Sequence, residues 1–336
     1  MTGTRTTIAE SIYTTSRTYD AFGRVATEKY PASPGTSGFS VQYLYNGSGR
    51  LERVQAPGGA RIYYQLIDTN AAGNITEEWL GDGSWVSNNY DAHSVRFASQ
   101  QTVNGTHNIQ QLHYRYDHNG NMTAREDLVA NLAESFTFDD MNRLTSAQVS
   151  DRSPVNYAFD ALGNIIEKSD KGSPFVYTSS KVHALTRIQI GNTNQKLNYD
   201  SNGNLTHGRK SPSISWTSYN KPQVISKGND SYSFYYGPDR RRFKKVHNGL
   251  VTHYVGDSFE KVFRATSPEY KHYIRANGRT IMLHRNATGS ANNEYIHRDH
   301  LGSITAVTAE SDSRVIQRYS YDAWGRRRRS VDWQSP

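Results

Sequence analysis

A loose tandem repeat constrains the fold of this chain more than any other feature of the sequence. Its core reads Tyr-Asp-x-x-Gly-Asn/Arg, followed by an apolar residue, and it recurs about every twenty residues. Such a period means that each copy is one supersecondary unit that buries its apolar face against its neighbours. The residues that define the clear copies are Tyr19, Asp20, Gly23, Tyr116, Asp117, Gly120, Phe159, Asp160, Gly163, Tyr199, Asp200, Gly203, Asp299, Gly302, Tyr321, Asp322 and Gly325.

Degraded copies lie between the clear ones. They begin at Tyr45-Asn46, Asp68, Tyr90-Asp91, Phe138-Asp139 and Tyr236-Gly237. The recurrence predicts one continuous array over residues 1–336, with no domain boundary. A function of such a chain belongs to the array, so a lone catalytic motif carries little weight.

Each repeat is predicted to be a β-hairpin. Segments such as 40–45, 111–116, 231–236 and 314–321 alternate polar residues with aromatic or β-branched ones, which indicates half-buried strands. Between strands, Asp can accept hydrogen bonds from the backbone two residues on, and Gly or Asn tolerates a positive φ. The sequence therefore predicts an all-β fold of repetitive antiparallel hairpins.

A few segments leave the local structure open. The stretch 124–135 has a helix-forming composition, so a short helix and a long hairpin connection are equally compatible with it. The segments 31–38 and 56–59 are rich in Gly and Pro and are predicted to be longer loops.

The composition favours a sheet whose two faces are both partly exposed to solvent. Only 35% of the residues are hydrophobic, yet 23 are tyrosines. Tyrosine offers a broad apolar face with a polar tip that can reach water. A large aliphatic core is therefore not expected, and a packed α/β enzyme fits this composition less well.

The formal net charge of +8 raises the question of nucleic-acid binding. Basic residues are scattered among the repeats, largely because the repeat often ends in Arg. The dense runs 240–245 and 326–329 each follow a turn motif, so each can be a strand with basic exposed positions. We therefore expect no nucleic-acid partner.

No motif nominates a catalytic, metal or cofactor site. Cysteine is absent, which excludes disulfides and Cys-based metal sites. The cluster at residues 297–303 has two His and one Asp but no further ligand, and its Asp299 and Gly302 occupy the turn positions of the repeat. The Asp and Asn spacing lacks the alternation of an EF-hand loop. We expect no enzymatic activity, no cofactor and no metal.

No targeting segment is evident. No run approaches the roughly 18–20 apolar residues that a membrane span needs, so none is predicted. The first residues lack the apolar core of a signal peptide. Export would have to be directed by another segment.

The repeats resemble the tyrosine-aspartate (YD) repeats of the Rhs family over nearly the whole chain. The most specific parts are Tyr295–Thr308 (YIHRDHLGSITAVT) and Tyr319–Arg327 (YSYDAWGRR). Together they resemble the opening of the Rhs repeat-associated core region, so residues 295–329 are interpreted as the start of such a region.

The resemblance implies a long antiparallel sheet that spirals into a hollow shell. In bacterial members the shell encloses a C-terminal toxin, and related shells occur in insecticidal toxin complexes and teneurins. This implies a secreted or cell-surface protein whose partners are the toxin or effector and the remaining shell. The family's self-cleavage segment and toxin domain are absent from this sequence, so we expect a fragment of a larger polymorphic-toxin-type protein.

Two other functions remain open. An extracellular adhesion or carbohydrate-binding array would use aromatic rings that stack on sugars of a cell-surface glycan. Nucleic-acid binding rests on charge alone. The candidates for stacking on sugars are Trp79, Trp85, Trp216, Trp324 and Trp333.

Overall fold

The computed structural model describes residues 2–8, 11–33, 38–177, 182–208, 212–287 and 290–334. Over these residues the chain forms 33 β-strands and one 3-10 turn at Pro57–Gly59. The first strands are β1 (Thr2–Ile8), β2 (Ser11–Tyr19), β3 (Val25–Lys29), β4 (Ser40–Tyr45), β5 (Leu51–Gln55), β6 (Ile62–Thr69), β7 (Ile75–Leu80), β8 (Trp85–Tyr90), β9 (Phe97–Asn104), β10 (His107–Tyr116) and β11 (Met122–Asp127).

The middle strands are β12 (Leu132–Phe138), β13 (Leu144–Val149), β14 (Val155–Phe159), β15 (Ile165–Lys168), β16 (Phe175–Val176), β17 (Arg187–Ile190), β18 (Thr193–Lys196), β19 (Asn198–Tyr199), β20 (Leu205–His207), β21 (Ser213–Trp216), β22 (Pro222–Lys227), β23 (Asp230–Tyr236) and β24 (Arg242–His247). The last are β25 (Leu250–Val255), β26 (Phe259–Phe263), β27 (Glu269–Ala276), β28 (Arg279–Ala287), β29 (Ser290–Arg298), β30 (Ile304–Ala309), β31 (Val315–Arg318), β32 (Ser320–Tyr321) and β33 (Arg327–Arg328).

The described chain divides into two compact units. Unit 1 comprises residues 1–115, 125–132 and 253–336, and unit 2 comprises residues 116–124 and 133–252. In both units the order of strands within a sheet follows the order of the chain, and consecutive strands pair antiparallel. This is the topology of successive hairpins with short connections.

Unit 1 contains a core between two sheets. One sheet contributes β1–β10 and the other contributes β26–β31. The buried cluster draws Tyr30, Val41, Val54 and Tyr64 from the first sheet, and residues of β27–β29 from the second. The residues that the second sheet contributes are Ile274, Ala276, Ile281, Met282 and Tyr295.

The two sheets of unit 1 approach closely at Gly81. A Cβ atom there would lie 2.3 Å from the Tyr295 hydroxyl and 2.4 Å from the carbonyl oxygen of Ile62. Only glycine fits such a gap without displacing backbone. Polar bonds also join the sheets, as where the Tyr30 hydroxyl donates to the carbonyl of Tyr273 at 3.2 Å.

Unit 2 is built mainly from the successive strands β12–β15, β16–β18 and β19–β24, with the first residues of β11 and β25. Most of its strand residues are half-buried or exposed. The strand β23, for example, has no fully buried side chain, and neither has β22. Its sheets therefore keep contact with water along most of their length.

The predicted all-β fold of antiparallel hairpins is confirmed. The ambiguous stretch 124–135 forms the end of β11, a turn and the start of β12 rather than a helix. The predicted strand 314–321 is interrupted at Tyr319, between β31 and β32. Of the predicted loop 31–38, residues 34–37 lie outside the described residues. The single array over 1–336 and the core-like region 295–329 stay predictions.

Candidate functional site

The repeated turn has one geometry, shown here by the copy at Asp20. The amide of Gly23 donates to the carbonyl of Asp20 at 3.1 Å, and the amide of Asp20 donates to the carbonyl of Arg24 at 2.9 Å. Gly23 has φ +78°, and the strand register shifts just before the turn, at Tyr19. This is a type I turn closed by a residue in the left-handed region, which forms a bulge.

The Asp side chain closes the turn from inside. Oδ1 of Asp20 accepts the amides of Phe22 and Arg24, both at 2.9 Å. Oδ1 of Asp160 accepts the amides of Leu162 and Asn164 in the same way. The amides of the third and fifth turn residues are likewise bound by Asp139, Asp200, Asp299 and Asp322.

Hydrogen bonding lowers the pKa of two of the turn carboxyls, those of Asp139 and Asp160. The amide of Arg143 holds the pKa of Asp139 below its usual range, against a smaller effect of burial in the opposite direction. The Asn164 side chain does the same to the pKa of Asp160. Bonds that a carboxylate accepts favour its charged form, so these turns are stabilised by the ionised acid.

Other residue types fill the Asp position in the degraded repeats. Asn70, not Asp68, holds it in the third hairpin, where Oδ1 of Asn70 accepts the amides of Ala72 and Asn74. Thr217 holds it before β22, where its hydroxyl accepts the amide of Lys221 at 3.1 Å. Sequence reasoning missed Thr217 because a hydroxyl followed by Asn220 does not match the Asp-x-x-Gly pattern.

Six of the tyrosine and tryptophan residues at the ends of hairpin strands donate a hydrogen bond backward along the array, to a backbone carbonyl of an earlier hairpin. The Tyr45 hydroxyl donates to the carbonyl of Val25, at the start of the preceding return strand, at 3.0 Å. Tyr236 donates to the carbonyl of Pro222 at 2.8 Å, and Nε1 of Trp216 donates to the carbonyl of Leu205 at 2.9 Å. Tyr90, Tyr177 and Tyr199 make the same bond to Ile75, Ile165 and Leu185.

In several turns the last residue contacts the next turn or hairpin along the array. The guanidinium of Arg24 lies over the ring of Tyr45 at 4.3 Å, and Nη2 of Arg50 donates to the carbonyl of Gly73. Nδ2 of Asn204 donates to Oδ1 of Asn220 at 2.9 Å. We call this set of backward and forward bonds the turn ladder, and it is the most regular chemical feature of the molecule.

The predicted repeat residues do not converge on one site. Each Asp and its Gly stay within their own turn, and the turns follow one another along the array. The third turn residue points outward and is often apolar, as for Phe22, which is 82% exposed, and Leu301, which is 75% exposed. Tyr19 and Trp324 are also exposed.

The 297–303 cluster separates into a buried and a partly buried part. His297 is buried, and its Nε2 lies 2.9 Å from the Thr308 hydroxyl, which donates to Oδ2 of Asp82 at 2.5 Å. Burial lowers the pKa of His297 to about 4. The His300 ring packs against the Tyr114 ring, with the centroids 4.1 Å apart. Among the described residues, no group of His, Asp and Glu side chains is arranged to hold a metal ion.

The tryptophans proposed to stack on sugars differ in exposure. Trp85 and Trp324 are exposed, and Trp79 pairs with Trp85 across β7 and β8. Trp333 is buried, with the Arg328 guanidinium 4.3 Å from its ring, so it cannot meet a sugar in this conformation. No helix within the described ranges is long and apolar enough to cross a membrane.

The fold and the turn ladder define a class of protein: a repetitive antiparallel array of β-hairpins whose neighbouring turns contact each other through side chains. Solved structures of TcdB2-TccC3 chains have this fold. The structure titled TcdB2-TccC3-TEV matches with a TM-score of 0.74 and 16% identity, over 97% of this chain and 18% of that chain. TcdB2-TccC3 itself matches with a TM-score of 0.71 and 17% identity, over 97% of this chain and 19% of that chain.

A third match is TcdB2-TccC3 without its hypervariable C-terminal region, with a TM-score of 0.71, 16% identity, and 97% and 18% coverage. At such identity the likeness shows the fold alone. The chain spans less than a fifth of the length of these structural neighbours. No family model matches the sequence. No curated protein matches it either.

Proposed function

We propose that this chain is a non-enzymatic structural segment of an Rhs-type β-shell that encloses a C-terminal toxin or effector polypeptide. The observation that carries the proposal is the fold match over 97% of this chain to part of TcdB2-TccC3. The YD repeats and the Tyr295–Thr308 stretch support the same family.

The array supplies the physical properties that such a wall needs. Most of the turns are closed by the side chain of their first residue, as at Asp160, and several are bound to the preceding hairpin, as by Tyr236, so the sheet is held together locally. Many strand side chains are half-buried, and tyrosine is abundant. A surface of this kind can contact an unfolded polypeptide without binding it tightly through a large apolar face.

The partner follows from the same likeness. One structural neighbour is described as lacking a hypervariable C-terminal region, so in that protein a variable part lies C-terminal to the conserved one. By analogy, the partner of this chain is a C-terminal toxin or effector together with the remaining shell, and the protein is secreted or displayed at the cell surface.

Limited proteolysis of the full-length gene product tests the proposal. We expect the C-terminal region to resist protease in the native protein and to be digested after two whole hairpins, β21–β24, are deleted. A deletion of the N-terminal strands β1 and β2 controls for general loosening and should expose the region less. Equal digestion of the C-terminal region in the native and deleted proteins would overturn the proposal.

A further inference from the structure

A basic cavity lies beside two consecutive turns of unit 1. It has a volume of about 480 Å³ and opens between the turn at residues 277–278 and the turn at residues 299–303. Both turns lie at the same edge, because each closes a hairpin of consecutive strands, β27–β28 and β29–β30. The side chains that line the cavity are Arg275, Arg279, Thr280, Arg298, Asp299 and His300.

The cavity lies where a two-residue turn, at residues 277–278, takes the place of the four-residue turn of the ladder. Elsewhere an Arg that follows the turn Gly reaches the next turn, as Arg50 reaches the carbonyl of Gly73 at 2.6 Å. Arg279 also follows a turn glycine, Gly278, but in a two-residue turn, and its guanidinium pairs with the buried carboxylate of Glu78 on the opposite sheet of unit 1. The Arg279 side chain therefore extends toward Glu78 and does not fill the space between the two turns.

Of the three guanidinium groups at the cavity, Arg279 pairs with Glu78 and Arg275 lies 3.9 Å from the exposed Asp257, so Arg298 carries the least balanced charge. Oδ1 of Asp299 is occupied by the amides of Leu301 and Ser303. Arg298 donates one Nη1 bond to the carbonyl of Gly302 at 2.7 Å, while its Nε is buried with no hydrogen-bond partner among the described residues. Burial, and then the nearby charge of Arg279, lower the pKa of Arg298.

His300 adds a second unsatisfied polar atom. Its Nδ1 is also buried without a hydrogen-bond partner in the described part of the chain. A buried polar atom without a partner is destabilising, so a ligand that reached these two atoms and satisfied them would be stabilised here. Guanidinium groups match the paired oxygens of carboxylates and phosphates in charge and in geometry.

We propose that this cavity is a binding site for an oxyanion, the carboxylate or phosphate group of a small molecule or of a polypeptide. The guanidinium group of Arg298 supplies most of the charge. Arg275 adds to it, although it also donates to the carbonyl of Gly278 at 3.0 Å, and His300 supplies a further polar atom. The site does not depend on the shell function, since it would bind a free anion equally well in a protein with no cargo.

Calorimetric titration of the full chain at low ionic strength tests the site. The probes are pyrophosphate, citrate and a hexaglutamate peptide, each in the same buffer. We expect one of them to bind with a single site, and the Arg298→Met variant to bind it at least 10-fold more weakly. Arg314→Met removes the same charge from an exposed position of unit 1, where Arg314 pairs only loosely with Asp312, and should change nothing.

The preferred probe separates the possible sources of the anion. Preference for pyrophosphate indicates a phosphorylated ligand, preference for citrate a small carboxylate, and preference for the peptide an acidic polypeptide segment. Absence of binding to all three probes, or equal weakening in Arg298→Met and Arg314→Met, would overturn the proposal.

A second pair of variants keeps the test decisive if Arg298→Met fails to fold. Thr280 lines the cavity and is half-buried. Thr280→Glu places a carboxylate in the cavity, and Thr280→Gln places an uncharged group of the same size there. We expect Thr280→Glu to abolish anion binding and to melt at a higher temperature than Thr280→Gln, by a margin that shrinks as salt is added. Equal melting of the two variants at low salt would contradict the site.

Discussion

Units 1 and 2 are built from the same repeat but bury their side chains differently. Unit 1 packs the sheet of β1–β10 against the sheet of β26–β31 around Tyr64, Ile274 and Tyr295. Most of the buried hydrophobic side chains among the described residues belong to unit 1. Unit 2 contributes only Phe136, Ala147, Val149, Tyr157 and Ile188.

The difference separates what the repeat itself provides from what its context adds. The turn ladder is present in both units, as Arg24 with Tyr45 in unit 1 and Asn204 with Asn220 in unit 2 show. The core between two sheets is found in unit 1. We therefore expect long-range packing to dominate the stability of unit 1 and local turn bonds to dominate that of unit 2.

The largest expected effect comes from the buried ion pair of unit 1. Glu78 is 1% exposed and pairs with Arg279. Arg279→Met would leave a buried carboxylate without its partner, which lowers the free energy of unfolding by about 3–5 kcal/mol. Urea denaturation measures the loss. Arg143→Met in unit 2 is the matched control. Its loss of unfolding free energy should be smaller, because Asp139 stays in contact with water. Equal losses in the two variants would contradict the difference between the units.

Truncation of core side chains should show the next largest contrast. Ile274 is fully buried between the sheets of unit 1, so Ile274→Ala should cost about 2–5 kcal/mol of unfolding free energy. Ile225 lies on β22 in unit 2 and is only half-buried, opposite Ile214. Ile225→Ala should cost clearly less, because water already reaches that site. Hydrogen exchange resolved by segment would measure both, and a cost for Ile225→Ala as large as for Ile274→Ala would contradict the contrast.

Acid should weaken unit 1 before unit 2. Burial lowers the pKa of His272 to about 4, and its Nε2 donates to the carbonyl of Pro31 at 3.1 Å. Between about pH 6.5 and pH 4, this histidine is protonated in the unfolded chain but not in the folded protein. The free energy of unfolding therefore falls by about 3 kcal/mol over this range. The His272→Phe variant should lose this part of the pH dependence.

The turn carboxyls of unit 2 respond at a lower pH. The folded-state pKa of Asp139 and of Asp160 is below the unfolded value of 3.8. Their contribution to the free energy of unfolding is therefore fully present above pH 3.8, and it is lost as the pH falls through the folded-state pKa. Hydrogen-exchange protection factors, corrected for the intrinsic exchange rate at each pH, should be lower in unit 1 at pH 5 than at pH 7 and unchanged in unit 2. Loss of protection in unit 2 over the same range would contradict this order.

Local chemistry made the turns predictable from sequence. A type I turn with a left-handed fourth residue is favoured by an acceptor at its first position and by Gly or Asn at its fourth, so Asp160 and Gly163 predict it within four residues. The same rule explains the error at Asp68. Asn70 offers an equivalent acceptor, and its spacing to Gly73 is the correct one.

The contacts between sheets could not be predicted in this way. Arg279 meets Glu78, 201 positions away in the sequence, and nothing near either residue indicates the other. The basic cavity lies beside that ion pair, so it could not be predicted from the sequence either. The Tyr-Asp pattern describes each hairpin, whereas the partner of a buried face depends on how distant hairpins meet.

The smallest expected effect tests whether the turn ladder is a property of the repeat. Tyr236→Phe removes the bond to the carbonyl of Pro222 in unit 2, and Tyr45→Phe removes the bond to Val25 in unit 1. Each loss should be about 0.5–1.5 kcal/mol and should be local, seen as faster amide exchange in the two hairpins concerned. Tyr232→Phe on the same strand controls for the loss of a hydroxyl outside the ladder. Similar values for Tyr236 and Tyr45 would mean that the ladder acts independently of the core, whereas a clearly larger loss in unit 1 would mean that packing between sheets sets the strength of the turn bonds.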